Sequence, residues 1–139
     1  MTQFAQSTAP DADLCFFGSR SRRKNGLVEG LFCTGDLAHS WTANSGPWKN
    51  GALPCGIYRA HGYHHRADAP HVKFGIGFSV ELKPLFATTR SFLQIHPDGN
   101  KVGTLGCIGI TDPDVAACSR YLRRLLETKE KVLVQVQWE

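Results

Sequence analysis

Between Leu14 and Ile110 the chain is cut into short apolar runs by turn-forming residues: Asn25-Gly26, Gly35-Asp36, Asn44-Ser45-Gly46-Pro47, Asn50-Gly51, Pro84 and Pro97-Asp98-Gly99-Asn100. Glycine supplies positive φ and proline a fixed φ, so each cluster reverses or breaks the chain. Such punctuation leaves room for strands and hairpins rather than long helices. The expected strands are Leu14 to Phe17, Leu27 to Thr34, Leu37 to Ala43, Gly56 to Ala60, Val72 to Leu82 and Phe92 to Ile95, with the histidine-rich stretch Gly62 to Pro70 as a loop. Phe74, Ile76, Phe78 and Val80 recur with period two. After Cys107 the pattern changes. Asp112 suits an N-cap and Pro113 the first helical position, and Val115, Cys118, Leu122, Leu125 and Leu126 follow at helical spacing. Val132, Val134, Val136 and Trp138 close the chain as an alternating strand. The expectation is a mainly β (α+β) domain, a β-sandwich or barrel, with its main helix over 113–129. Residues 1–139 form one domain with a loose terminus at 1–11.

The stretch 92–110 carries the chemistry. A buried strand ends on His96, a turn follows, and Gly103 and Gly106 frame a loop that ends at Cys107, eleven residues after the histidine. A thiol is a weak nucleophile at neutral pH because its ordinary pKa is about 8.5. An imidazole beside it can take its proton. The backbone amides of Leu105, Gly106 and Cys107 are candidates to face a developing oxyanion. The chain has five cysteines, so at least one thiol is unpaired. Cys118 falls on the apolar helix face, Cys15 and Cys33 fall in strand-like runs, and Cys55 lies in a turn. Cys107 is therefore the expected nucleophile, with Cys55 its rival.

Two other features need weighing. His61, His64, His65 and His71 fall within eleven residues, a density that suits zinc or nickel. The spacing matches no metalloprotease motif, so neither a metal nor any other cofactor is expected. The net charge is +4, with Arg20, Arg22, Arg23 and Lys24 in one cluster and Arg120, Arg123 and Arg124 in another. That favours an anionic surface, whether nucleic acid, phospholipid or a bacterial envelope, beside the plainer reading of a solvated face. No nucleic-acid motif is present, and no apolar run approaches the roughly 20 residues of a membrane span. The first residues lack a basic region followed by an apolar one, so synthesis in the cytoplasm without a signal peptide is expected. A basic nucleic-acid-binding domain remains an open class on charge alone.

Thr104-Leu105-Gly106-Cys107 resembles the Ser/Thr-x-Gly-Cys motif of the L,D-transpeptidase (YkuD-type) catalytic domain, and Ile95-His96 is similar to the upstream histidine of that family. Leu53-Pro54-Cys55-Gly56-Ile57-Tyr58 resembles the Ile/Leu-Pro-x-Gly-x-Tyr segment of its compact members, which include type VI secretion effectors and small phage lysis enzymes. Trp41 to Gly46 is similar to the segment before it, a strand ending in Ser-Gly. Three positions depart from the pattern: Pro97 where long-form enzymes usually have Gly, Leu105 in place of a common His, and Gly109 in place of Arg or Asn.

The resemblance implies a cysteine acyl transferase of peptidoglycan stem peptides, an L,D-carboxypeptidase or L,D-transpeptidase, used as a phage endolysin or a secreted antibacterial effector. Cys107 would attack the amide before a terminal D-alanine, and His96 would accept and return the proton. Gly106, Leu105, Thr104 and Asp98 would support the oxyanion and the loop. The group that orients His96 would be the carbonyl of Pro97 or Gly99, or the Asp98 side chain. Ser45 and Tyr58 would touch substrate, and Arg66 and Lys73 are candidates to meet its carboxylates. Action in the periplasm or cell wall would follow delivery by a holin or a secretion system, with an immunity protein as partner of an effector. A monomer is expected. The alternatives are a non-catalytic virion or binding module on the same fold, and a metal-dependent amidase.

Overall fold

A computed structural model describes residues 12–20, 26–48, 51–99 and 102–139. The terminus at 1–11, the basic residues Arg22, Arg23 and Lys24, and the turn residues Asn25, Asn50 and Asn100 lie outside the described residues. The strands are β1 (Leu14–Arg20), β2 (Val28–Thr34), β3 (Ser40–Ser45), β4 (Gly56–His65), β5 (Val72–Lys73), β6 (Ile76–Pro84), β7 (Leu93–Pro97), β8 (Ile108–Ile110) and β9 (Val132–Trp138). Among the described residues one α-helix forms, α1 (Val115–Thr128), together with a 3-10 turn at Ala69–His71.

Strands pair in the order β4-β9-β1-β2-β3-β8-β7-β6, and β6 pairs back onto β4. Eight strands thus close into a barrel, which leaves no open edge among them. The short β5 lies outside the ring and pairs with β6 alone. Two contacts are parallel, β1 with β9 and β7 with β8. Alternation sends Leu14 and Phe16, Phe78 and Val80, and Ile108 and Ile110 into a single core. Helix α1 adds Val115, Cys118 and Leu122 to that same core, the residues picked out by helical spacing. The mainly β architecture with a helix near the C-terminus matches the expectation, and of the two forms expected it is the barrel.

Several boundaries moved for identifiable reasons. β4 continues through the expected histidine loop to His65, because Gly62 makes a bulge (φ 75°) after which Tyr63, His64 and His65 still pair with β6. Tyr63 stacks on Phe78 at 5.6 Å and meets Ser119 Oγ on the helix at 2.6 Å, which holds the extension down. The expected strand over 72–82 is broken instead. Phe74 and Gly75 both have positive φ (54° and 77°) and form a two-residue hairpin turn between β5 and β6. β3 starts at Ser40 rather than Leu37, since Asp36 Oδ1 accepts from Thr34 Oγ1 and from the Ala38 amide and prolongs the turn. The helix begins two residues later than expected. Asp112 does not cap it; its carboxylate takes the amides of Asp114 and Thr42, both at 2.9 Å, and ties the helix entry to β3.

Leu122 is fully buried where the helix meets the barrel. Leu122→Ala is expected to lower unfolding free energy by about 2–5 kcal/mol in urea titration, because the cavity it leaves is walled by strands that cannot collapse.

Candidate active site

Strands β7 and β8 run in parallel, so the chain between them must travel back along their length. It does so as a short loop laid over the outer face of the barrel. Leu93 and Ile95 on β7, and Ile108 and Ile110 on β8, face the core. Their alternates His96 and Cys107 therefore share the outer face. His96 lies opposite Gly109, two residues beyond Cys107 along the neighbouring strand. Both side chains line one cavity of about 660 Å³, with His71, Arg90, Phe92 and Trp48 around them.

The loop is fixed by two buried polar hubs. Thr104 Oγ1 donates to the Cys107 carbonyl (2.7 Å) and accepts from the amides of Cys107 (2.9 Å), Gly46 (3.0 Å) and Gly106 (3.2 Å). Asp98 Oδ2 accepts from Asn44 Nδ2 (2.8 Å) and from the Gly103 amide (3.1 Å). Burial pushes the Asp98 carboxyl above its ordinary pKa, against the lowering effect of those two donors. Gly109 makes room for both hubs. A Cβ there would stand 2.8 Å from Thr104 Cγ2, 2.9 Å from Asn44 Oδ1 and 3.1 Å from Asp98 Cβ. The Arg or Asn of the resembling family would not fit this packing.

His96 is 8% exposed and Cys107 9%, enough for both to reach the cavity. His96 Nδ1 donates to the Pro97 carbonyl at 2.7 Å; a carbonyl can only accept, so Nε2 is left as the basic nitrogen. Of the three groups expected to orient His96, Pro97 does so, and Asp98 is occupied with the loop. Desolvation lowers the His96 pKa to about 4, with the positive surroundings from His71 and Arg66 adding to it and the Pro97 carbonyl opposing it. Burial also raises the Cys107 thiol above its ordinary value, partly offset by the Gln94 amide and the Arg90 guanidinium. Sγ donates to the Phe92 carbonyl at 3.8 Å rather than to the imidazole. The resting pair is a neutral thiol and a neutral imidazole.

The other expected site residues fall into two groups. Leu105 is exposed and, with Gly103 and Thr104, lines the cavity. The amides of Gly106 and Cys107, expected to face an oxyanion, are held by Thr104 Oγ1. Ser45 and Tyr58 do not reach the cavity. Both are fully buried; Ser45 Oγ accepts from the Leu53 amide at 2.8 Å, and Tyr58 OH donates to the Pro54 carbonyl at 2.5 Å. Arg66 is held by Asp68 in a two-pronged ion pair, and Lys73 Nζ sits 5.1 Å from the Phe74 ring centroid. Neither lines the cavity. Among the described residues the Arg or Lys side chain that does is Arg90, which donates to the carbonyls of Gly51 and Ala52, both at 3.3 Å, and lies over Gly106. Its only sequence signal was a basic residue shortly before the Phe92 strand.

The histidine cluster is divided by the fold. His61, His64 and His65 lie exposed on β4, whereas His71 lines the cavity beside His96. Among the described residues no group of three or more His, Cys, Asp or Glu side chains is arranged to hold a metal ion. No helix among them is long and apolar enough to cross a membrane. All five cysteines are free, and Cys55 is the exposed one. The fold and cleft together define a closed β-barrel with a cysteine–histidine pair on its outer face. No protein-family model, curated protein or solved structure matches the chain.

Two outcomes follow from the site's electrostatics. The iodoacetamide labelling rate of Cys107 should be low at pH 7 and climb steeply with pH, while exposed Cys55 labels first; mass mapping of labelled peptides checks the order. This reverses the simple expectation that a candidate nucleophile labels fastest. Because His96 is held neutral in the folded chain, the unfolded chain binds its proton first. Stability is then lost as pH falls from about 6.5 to about 4, by on the order of 3 kcal/mol. His96→Gln should flatten that acid limb in pH-dependent denaturant melts.

Proposed function

We propose that this protein is a cysteine acyl transferase acting on peptidoglycan stem peptides, as an L,D-carboxypeptidase or L,D-transpeptidase built on an L,D-transpeptidase-like barrel. The observation that carries the reading is the presence of Cys107 and His96 on one outer face of β7 and β8, in a single cavity that also contains Arg90. A guanidinium in that position suits the carboxylates of a stem peptide. The half-exposed Trp48 and the exposed Phe92 give the cleft an apolar rim against which a peptide backbone can lie.

In the reaction, Cys107 Sγ attacks the acyl carbon at the L-centre of diaminopimelate. His96 Nε2 takes the thiol proton as the carbon–sulfur bond forms. The neutral starting pair avoids a buried ion pair in the free protein. Charge then develops only when substrate has displaced water from the cavity, where fixed dipoles stabilise it most. D-Alanine leaves and a thioester remains. Water resolves it in a carboxypeptidase, and a second amine resolves it in a transpeptidase. An endolysin or an antibacterial effector, the latter with an immunity protein as partner, would both use this chemistry at the cell wall.

The test is release of D-alanine from purified tetrapeptide stems, read by mass spectrometry. Cys107→Ser and His96→Ala should each lose about a thousandfold or more in kcat/KM while keeping native circular dichroism. Cys55→Ser should keep most of it. A folded wild-type protein that binds peptidoglycan without releasing D-alanine would replace this reading with that of a binding module.

A further inference from the structure

One titratable group in the cavity has no part in the dyad chemistry. His71 ends the 3-10 turn Ala69–His71, and that turn is clamped on both sides. A Cβ at Gly99, just after β7, would stand 2.3 Å from the Ala69 carbonyl oxygen, and one at Gly77 would stand 2.0 Å from the Arg66 carbonyl oxygen. The Arg66 amide also donates to the Gly77 carbonyl at 3.1 Å. These close approaches press the turn against β7 and bring the His71 ring edge-on to His96, with centroids 4.6 Å apart.

The two rings have opposite surroundings. His96 is buried but for its edge on the cavity, and its Nδ1 partner is the neutral Pro97 carbonyl. The His71 side chain is 19% exposed, and its Nδ1 meets Asp68 Oδ2 at 2.5 Å. Asp68 is itself fixed by Arg66, with Nε at 2.9 Å and Nη2 at 3.1 Å. The hydrogen bond from His71 holds the Asp68 carboxyl well below its ordinary range, at about 2, so Asp68 is ionised wherever the protein is folded and active. The bond therefore runs from Nδ1–H to a carboxylate, and Nε2 is the nitrogen left to exchange a proton. Among the described residues the charged or titratable groups recorded against His71 are Asp68, fixed by Arg66, from the chain before it and His96 from β7. A histidine with a fixed counter-charge on one nitrogen and an open cavity beside it is equipped to carry a proton to a ligand. A neighbour kept neutral is equipped to remove one. Paired titratable groups in contrasting environments divide acid and base work in this way.

We propose that His71, oriented by Asp68, is a second catalytic residue of the cleft: the general acid that protonates the leaving amine while His96 serves as base to Cys107. This rests on the acyl-transfer reading above. In acylation the Cys107 sulfur bonds to the acyl carbon and its proton passes to His96. The carbon–nitrogen bond breaks, and the nitrogen takes a proton from the His71 imidazolium. In hydrolysis water adds its oxygen to the acyl carbon and gives a proton to His71. The thiolate leaves and recovers its proton from His96. Both histidines return to their starting states.

The full chain is assayed with two substrates that share one acyl group, the tetrapeptide with its D-alanine amide and the tripeptide as a thioester. The departing thiolate of the latter has a pKa of about 8.5 and needs no proton. In the first turnover, before the shared acyl-enzyme is hydrolysed, His71→Gln should slow release of D-alanine from the amide by about 10²–10⁴-fold and leave release of the thiol from the thioester near wild type. His96→Gln should lose both. Asp68→Asn, which loosens the ring that Asp68 orients, should likewise slow first-turnover release of D-alanine and spare release of the thiol. If His71→Gln does not fold, the Asp68→Asn comparison decides between the two outcomes. Equal loss on both substrates, or undiminished amide cleavage, would overturn the role of His71 and leave the dyad standing. A wild type inert toward both substrates would overturn the acyl-transfer reading itself, and this role with it.

Discussion

The parallel pairing of β7 with β8 is the constraint on which the site depends. An antiparallel pair would be joined at one end by a hairpin, and nothing would need to cross the outer face. A parallel pair forces the connection back along the strands, and here the connection is short and its described residues form no helix. Its backbone groups must find partners in the loop itself or on the barrel. Thr104 and Asp98 supply them. One hydroxyl and one carboxyl tie the loop to Gly46 and Asn44 at the end of β3, so a third strand joins the assembly. Cys107 leaves the loop at the point where Thr104 holds both its amide and its carbonyl. Its position is set by the fold alone.

The same burial that fixes the site also suppresses its charges. His96 and Cys107 are driven in opposite directions by desolvation, and each is driven away from the ionised form. A thiolate–imidazolium pair would have to be separated from water in a cleft where Arg90 favours the thiolate but Arg66 opposes the imidazolium. A neutral pair is the lower-energy resting arrangement, and it limits adventitious oxidation of a thiol that borders an open cavity. In the proposed reaction, activation is then tied to the substrate, whose carbonyl would present the charge-accepting group.

Much of this was legible in the sequence, and the exceptions share a cause. The turn residues and the period-two runs marked the strands, and the helical spacing from Val115 to Leu126 marked the helix. His96 and Cys107 stood out because glycines framed them. What could not be read was direction. Ser45 and Tyr58 sit in recognisable segments, yet the pleat turns both inward, where they bind the backbone at Leu53 and Pro54. Arg66 and Lys73 flank His71 in sequence, but one is spent on Asp68 and the other rests by Phe74. Arg90 is brought to the cavity by a stretch with no regular structure, which carries no periodicity to read. His71 was grouped with three neighbours by spacing alone. The strand that continues through Gly62 separates them, because pairing with β6 outweighed the polar composition of the segment.

Phe92 links the backbone to the chemistry most directly. It has a left-handed φ of 56° and is 94% exposed, so its side chain contributes nothing to the core. A bulky residue in that region is strained by about 1–3 kcal/mol, and such strain persists only where the surroundings over-determine it. Two constraints meet there. Leu93 must enter the barrel at the start of β7, and the Phe92 carbonyl accepts the Cys107 thiol. Glycine would relieve the strain but would loosen the segment that supplies both that carbonyl and the neighbouring Gln94 amide. The strained residue therefore holds an acceptor for the thiol proton, while the next amide but one stands ready to stabilise the sulfur once that proton has gone. The backbone around Sγ serves both protonation states of the thiol, and in the proposed reaction His96 would decide between them.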